Sequence, residues 1–170
     1  MKRLHSPWRS QYIASFKDEK PRKGESLFTQ LLREKKDKKN LIVNRKKFCF
    51  VMMNLYPYNS GHLMIIPYKQ ATGISELSAD ENAEIMQTAG EMTEVLKQVM
   101  GPHGFNFGAN IGRAAGAGID DHLHFHLVPR WDGDTNFMPT LGDVKVVSED
   151  MKTTYKKIID VLQTKKIKRK

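Results

Sequence analysis

The sequence predicts one α/β domain of the α+β kind, in which a sheet is covered by one long helix and followed by a second. Three observations lead there. Histidines and apolar residues alternate through His122-Leu123-His124-Phe125-His126-Leu127-Val128, apolar residues recur at helical spacing from Ile85 to Val99, and two strand-length apolar runs flank a turn between residues 41 and 54. A chain of 170 residues with 39% hydrophobic content buries one full core, which fits one domain better than two.

Taken in order, residues 1–24 form an N-terminal arm containing Pro7-Trp8-Arg9 and Tyr12 and showing no period. A short amphipathic helix is predicted over 25–36. Residues 41–44 and 47–54 read as a hairpin turning near Asn44-Arg45, and 62–67 as the next strand. The turn-forming loop 55–61 lies between them. Ser78-Ala79-Asp80-Glu81 has capping-box spacing, and Ile85, Met86, Ala89, Met92, Leu96 and Val99 share a face that packs on the sheet until Gly101-Pro102 stops the helix. A strand over 105–110, a small-residue connection over 112–118 and the histidine strand 122–130 follow. After Ser148 a terminal helix places Tyr155, Ile158, Ile159 and Leu162 on one side. The domain proper is thus expected over 25–147, with 148–170 as a C-terminal helix and basic tail.

Composition narrows the function classes. The single cysteine, Cys49, lies in the apolar run 48–53 as a small hydrophobe and leaves no disulfide framework within the chain. Apolar runs such as 63–67 are strand-length, so no membrane span or leader is read, and a cytoplasmic setting is expected. The net charge of +9 gathers in residues 33–47, with eight basic and two acidic side chains, and in Lys165-Lys166-Ile167-Lys168-Arg169-Lys170. Such runs are usually solvated faces, and a positive field of this kind can raise the encounter rate of an anionic ligand. No recognised nucleic-acid module or aromatic platform accompanies them.

Side chains two apart on a strand share a face, so His122, His124 and His126 line one side while Leu123, Phe125 and Leu127 point to the other. Three uses of that face compete. A zinc centre is disfavoured because, at about 3.3 Å per residue, the Cα atoms of His122 and His126 lie roughly 13 Å apart. Plain structural histidines would be ordinary singly but not three in alternation. Nucleophilic catalysis remains, a neutral imidazole attacking while its neighbours hold its tautomer and move the proton.

These residues resemble the histidine triad family of nucleotide hydrolases and transferases, whose signature is His-x-His-x-His followed by two apolar residues. Asn54, Gly61-His62 before Leu63-Met64-Ile65-Ile66-Pro67, Asn110-x-Gly112, Gly116 and Pro129-Arg130-Trp131 fall in family order, so the resemblance covers roughly residues 40–140. Gly104-Phe105-Asn106, the run 115–122 and Trp131-x-Gly133-Asp134-Thr135-Asn136-Phe137 resemble the bacterial branch similar to diadenosine tetraphosphate phosphorylases, ATP adenylyltransferases and fragile-histidine-triad-like hydrolases.

The resemblance implies an antiparallel sheet and a homodimer that extends it. It implies that His124 attacks the α-phosphorus of a nucleotide to form a nucleotidyl-histidine, flanked by His122 and His126 and buttressed by His62. Asn54 matches the residue that holds the ribose hydroxyls, and Asn110 a polar residue at the phosphate or the triad. The small segment containing Gly116, Ala117 and Gly118 lets backbone N–H groups approach anionic oxygens, and Arg113 is the charge within it. The substrate is then a dinucleoside polyphosphate such as diadenosine tetraphosphate, with phosphate or water as second acceptor. The alternative is a nucleotide- or nucleic-acid-binding module with vestigial catalysis, or deadenylation of adenylylated conjugates.

Two departures from the pattern matter. Relatives in this branch carry Cys-x-x-Cys near the N-terminal helix as part of a zinc site, where this chain has Ser26-Leu27-Phe28-Thr29. Hydroxyls do not replace thiolates on zinc, so no structural zinc is expected. No cofactor is expected to be required, and a divalent ion such as Mg can accompany the polyphosphate substrate. At Ala117 several relatives place a glutamine or serine that touches phosphate, so that contact is expected here from backbone, Arg113 or elsewhere.

Overall fold

The computed structural model describes residues 22–134 and 150–168, with side chains through residue 164. The expectations for Pro7-Trp8-Arg9, Tyr12, Thr135-Asn136-Phe137 and the side chains of the basic tail lie outside the described residues.

Five strands form one sheet: β1 (Ile42–Arg45), β2 (Cys49–Met53), β3 (Leu63–Pro67), β4 (Gly104–Ala109) and β5 (Phe125–Arg130). Their order is β1-β2-β3-β5-β4 and every pairing is antiparallel. The hairpin turns at residues 46–48, later than Asn44-Arg45. Glu84 draws the turn there, accepting the N–H groups of Lys47, Phe48 and Cys49 on one carboxylate. Such a long-range anchor leaves no local signature.

Among the described residues three α-helices accompany the sheet: α1 (Leu27–Arg33), α2 (Ala79–Met100) and α3 (Met151–Lys168). The predicted capping box closes α2, with Ser78 accepting from Glu81 N–H and Glu81 from Ser78 N–H, and Gly101 ends it in the left-handed region at φ 55°. The α1 helix is shorter than predicted because Lys35 also has a positive φ of 53°, which a continuing helix does not allow.

The two sheet faces are unlike. On one, Leu123, Phe125 and Leu127 join Val51, Leu63 and Ile65 under Ile85, Ala89, Met92 and Leu96 of α2. Tyr155, Ile158, Ile159 and Leu162 of α3 pack on the same cluster, and Tyr155 Oη donates to the Ile42 carbonyl at 3.2 Å. Burying each such aliphatic side chain contributes roughly 1.5–3 kcal/mol. Met86, read as part of that helix face, instead points outward at 59% exposure. Cys49 is fully buried in the core, where loss of water pushes its thiol up to about 11. The other face gathers Phe28 and Leu31 of α1 with Phe50, Met52, Met64 and Ile66. The three histidines share that side, since Met52, Met64, His126 and Gly108 fall in one row across β2, β3, β5 and β4.

The histidine strand starts later than its alternation predicts. Pairing with β3 stops at Ile65↔Phe125 and with β4 at Ala109↔Phe125, so His122 and His124 precede β5. Pro67 has no N–H to give a ladder and its carbonyl faces the His122 ring, while Leu123 N–H turns to the Ala71 carbonyl at 2.6 Å. The in-out alternation nevertheless continues through both residues.

Candidate active site

His122, His124, His126 and His62 are all buried, and they form one connected cluster. The His124 and His126 rings lie 4.9 Å apart, His126 and His62 5.0 Å. His62 stands at the head of β3, next to the strand that carries His126, so a residue 64 positions away arrives beside the triad through sheet pairing.

Backbone groups that can only donate or only accept determine where the ring protons sit. His124 Nδ1 is 2.9 Å from the carbonyl of His122, so Nδ1 donates. In the neutral ring Nε2 is then left with an unprotonated lone pair. Burial pushes the His124 pKa down, opposed by that carbonyl bond, which favours the neutral form at pH 7. Its backbone and its surroundings thus leave the ring neutral with a lone pair on Nε2, the state that nucleophilic attack requires.

The His62–His126 pair is polarised in the opposite sense. Tyr58 N–H donates to His62 Nδ1 at 2.9 Å, which puts the His62 proton on Nε2. That nitrogen donates to His126 Nδ1 at 2.9 Å, so neutral His126 carries its own proton on Nε2. Asn54 follows β2 and accepts Tyr56 N–H through Oδ1, leaving its Nδ2 3.4 Å from His62 Nδ1. The Tyr58 ring covers this pair, 4.6 Å from His62 and 5.2 Å from His126, and its hydroxyl accepts from Asn110 Nδ2 at 3.4 Å. Asn54 thus meets His62 directly, and Asn110, distant in sequence, is linked to the pair through Tyr58. A cavity of about 270 Å³ opens beside Asn54 and His62, bounded on the core side by Met53 and by Met151 and Thr154 of α3.

Sequence reasoning missed the partners of His122. Its Nε2 donates to the Pro67 carbonyl at 2.9 Å, so Nδ1 accepts from the Ser26 hydroxyl at 2.6 Å. Ser26 is also the N-cap of α1, accepting Thr29 N–H, and its own N–H is held by Gln70 Oε1. Phe28 packs against both rings, 5.5 Å from His122 and 5.2 Å from His124. Burial pushes the His122 pKa down, opposed by the Pro67 carbonyl and the Asp121 charge. The local signal was Ser-x-x-Thr at a helix start, which reads as a cap and nothing more.

The donors beside His122 do not suit zinc. Ser26 and Thr29 hydroxyls lie 3.0 Å apart, and with the Gln70 amide they offer neither thiolate nor imidazole. Among the described residues no group of three or more His, Cys, Asp or Glu side chains is arranged to hold a metal ion.

The small-residue loop is exposed over Gly112, Arg113, Gly116 and Gly118, with Ala117 half-buried. It forms a 3-10 turn over Arg113–Ala115 bounded by Gly112 at φ 79° and Gly116 at φ 92°, a conformation other residues resist. Gly116 and Ala117 N–H groups close that turn on the carbonyls of Arg113 and Gly112. Arg113 pairs with Asp120 at 2.6 Å while remaining 84% exposed. Opposite His126, Gly108 leaves open space on the histidine face.

Comparison with known proteins places this geometry. The AP-4-A phosphorylase of Mycobacterium tuberculosis is 38% identical over 157 residues, covering 91% of this chain and 80% of that protein. Among solved structures, a HIT-like protein involved in cell-cycle regulation from Bartonella henselae superposes with a TM-score of 0.63 at 20% identity, over 79% of this chain and 95% of that one. A zinc-bound histidine triad family protein from Mycobacterium smegmatis gives 0.62 at 18% identity, over 75% and 86%. With the HIT domain model matching residues 35–133, across the sheet, the long helix and all four clustered histidines, the chain belongs to the histidine triad family.

Proposed function

We propose that this protein cleaves a dinucleoside polyphosphate, of which diadenosine tetraphosphate is the type, at an α-phosphorus through a nucleotidyl-histidine on His124. The observation that carries the reading is the His124 ring: Nδ1–H on the His122 carbonyl, Nε2 bare, and burial favouring neutrality. Nε2 attacks phosphorus, the P–O bond to the distal phosphate breaks, and the nucleoside polyphosphate leaves with the electron pair and takes up a proton. His126, with its proton on Nε2, is the adjacent donor to the oxygens on which charge gathers. A second acceptor then attacks the same phosphorus, breaks the P–N bond and returns the lone pair to Nε2.

The likeness to an AP-4-A phosphorylase over 91% of the chain supports phosphate as that acceptor, giving ADP and ATP from diadenosine tetraphosphate. Water would give AMP and ATP. In this reading Asn54 holds the ribose and Asn110, Arg113 and the backbone at Gly118 meet the phosphates, since the Gly116 and Ala117 N–H groups close the turn on Arg113 and Gly112 carbonyls. A divalent cation such as Mg enters with the substrate, and no structural zinc takes part. Among the described residues β4 is an edge of the sheet, exposed at Asn106, Phe107 and Gly108, and in this reading a second copy extends the sheet there into a homodimer. No described helix is long and apolar enough to cross a membrane.

The test is incubation with diadenosine tetraphosphate, with and without inorganic phosphate, and chromatography of the products. Phosphate-dependent ADP plus ATP is expected. AMP plus ATP irrespective of phosphate would replace the phosphorylase assignment by a hydrolase, and absence of turnover would remove this substrate class.

A further inference from the structure

We propose that Ser26 is a positioning residue for the nucleophile: its hydroxyl proton, given to His122 Nδ1, keeps His122 in the Nε2–H form on the Pro67 carbonyl and so holds the His122 carbonyl that accepts His124 Nδ1–H. The inference rests on the role given above to His124.

Backbone groups fix the proton on His122, and the Thr29 hydroxyl, 3.0 Å from Ser26 Oγ and 3.4 Å from Gln70 Oε1, adjusts to whichever acceptor Ser26 leaves it. Ser26 is fully buried and 96 residues from His122 in sequence, yet the two are 2.6 Å apart. Thr29 N–H, which can only donate, occupies one lone pair of Ser26 Oγ at 3.2 Å. The Pro67 carbonyl, which can only accept, takes the His122 Nε2 proton at 2.9 Å. For a neutral ring the Ser26 proton then belongs on Nδ1. Gln70 keeps Ser26 in place by accepting its N–H at 3.1 Å and donating to the Gly24 carbonyl at 3.3 Å. The entrance of α1, the end of β3 and the histidine segment are tied at one ring by hydroxyl and amide groups.

Electrostatics agree with this arrangement. Asp121 favours the charged His122 ring and His124 opposes it, while α1 turns the uncharged Phe28 and Ser26 towards it. Burial exceeds these influences and favours the neutral form. A hydroxyl proton on Nδ1 stabilises only that neutral form, so its removal makes His122 easier to protonate.

The test compares wild type with Ser26→Ala and Ser26→Thr, using long-range ¹H–¹⁵N spectra of His122 and the kinetics of diadenosine tetraphosphate cleavage. Wild type should show Nδ1 unprotonated and Nε2 protonated at pH 7. Ser26→Ala should lower kcat roughly 10–100-fold with KM changed little, as expected for a misplaced reacting group. It should also move the acid limb of kcat upward in pH, and Ser26→Thr should restore both. A protonated Nδ1 in wild type would overturn the proposal, with no variant needed. So would a folded Ser26→Ala protein with unchanged kcat, pH limb and His122 spectrum. The spectra require no substrate, so loss of the assigned reaction and loss of this inference are separable.

Discussion

On one side of the histidine cluster His122 and His124 give their Nε2 and Nδ1 protons to backbone carbonyls, of Pro67 and of His122 itself. On the other, His62 accepts a hydrogen bond from a backbone amide, that of Tyr58, and donates one to His126. A carbonyl partner leaves the far nitrogen bare, whereas an amide partner makes the far nitrogen a donor. Two imidazoles of the same chemistry, 4.9 Å apart, are thereby given opposite polarity. Because main-chain amides and carbonyls do not titrate, the assignment does not depend on an ionised side chain.

The most severe way to break this asymmetry is to remove the bare nitrogen. His124→Ala should lower turnover by at least about 10⁴-fold, measured as initial rates on rigorously purified protein, while nucleotide binding persists. Cutting the donor side should cost less. His62→Ala removes the N–H from His126 Nδ1, and kcat should fall by about 10²-fold with the His124 side intact. Equal losses in the two variants would show that the halves do not play different parts.

The pH dependence sharpens the comparison. In the proposed reaction His124 attacks only when neutral, and burial lowers its pKa, so the acid limb of the nucleotidylation rate should lie below the ordinary histidine value of about 6.5. The same shifts act on stability. The folded pKa values of His122 and His124 are depressed, so their contribution is present above the unfolded value near 6.5 and lost as the pH falls from there through the folded values. The Tm should accordingly decline on acidification through that range, and a flat profile would contradict the buried neutral assignment. Smallest is Arg113→Ala, expected to raise KM for diadenosine tetraphosphate a few-fold, flatten its salt dependence and leave kcat unchanged, because Arg113 stands outside the polarised cluster on an exposed loop.

How far the sequence could be read depended on the range of the forces involved. Ser78 to Glu81 and Gly101 are local punctuation, and α2 begins and ends where they place it. The alternation of histidines with Leu123, Phe125 and Leu127 separates the two faces of the sheet, a consequence of pleat geometry alone. Glu84 drawing the hairpin turn, Met86 facing outward and Ser26 reaching His122 are products of packing between distant segments, with no period or spacing to announce them. Tyr58 is of the same kind: within its loop it is one more turn residue, and only the pairing of β3 with β5 brings its amide and ring to the His62–His126 pair.

The measurement that meets the central claim most directly is rapid quenching of the enzyme with diadenosine tetraphosphate in the absence of acceptor phosphate, followed by intact-mass and peptide analysis under conditions that preserve a P–N bond. One adenylyl group per active site, located on His124 and released by added phosphate with formation of ADP, is the predicted result. An adenylyl group on another residue, or full turnover by the His124→Ala protein, would contradict the account.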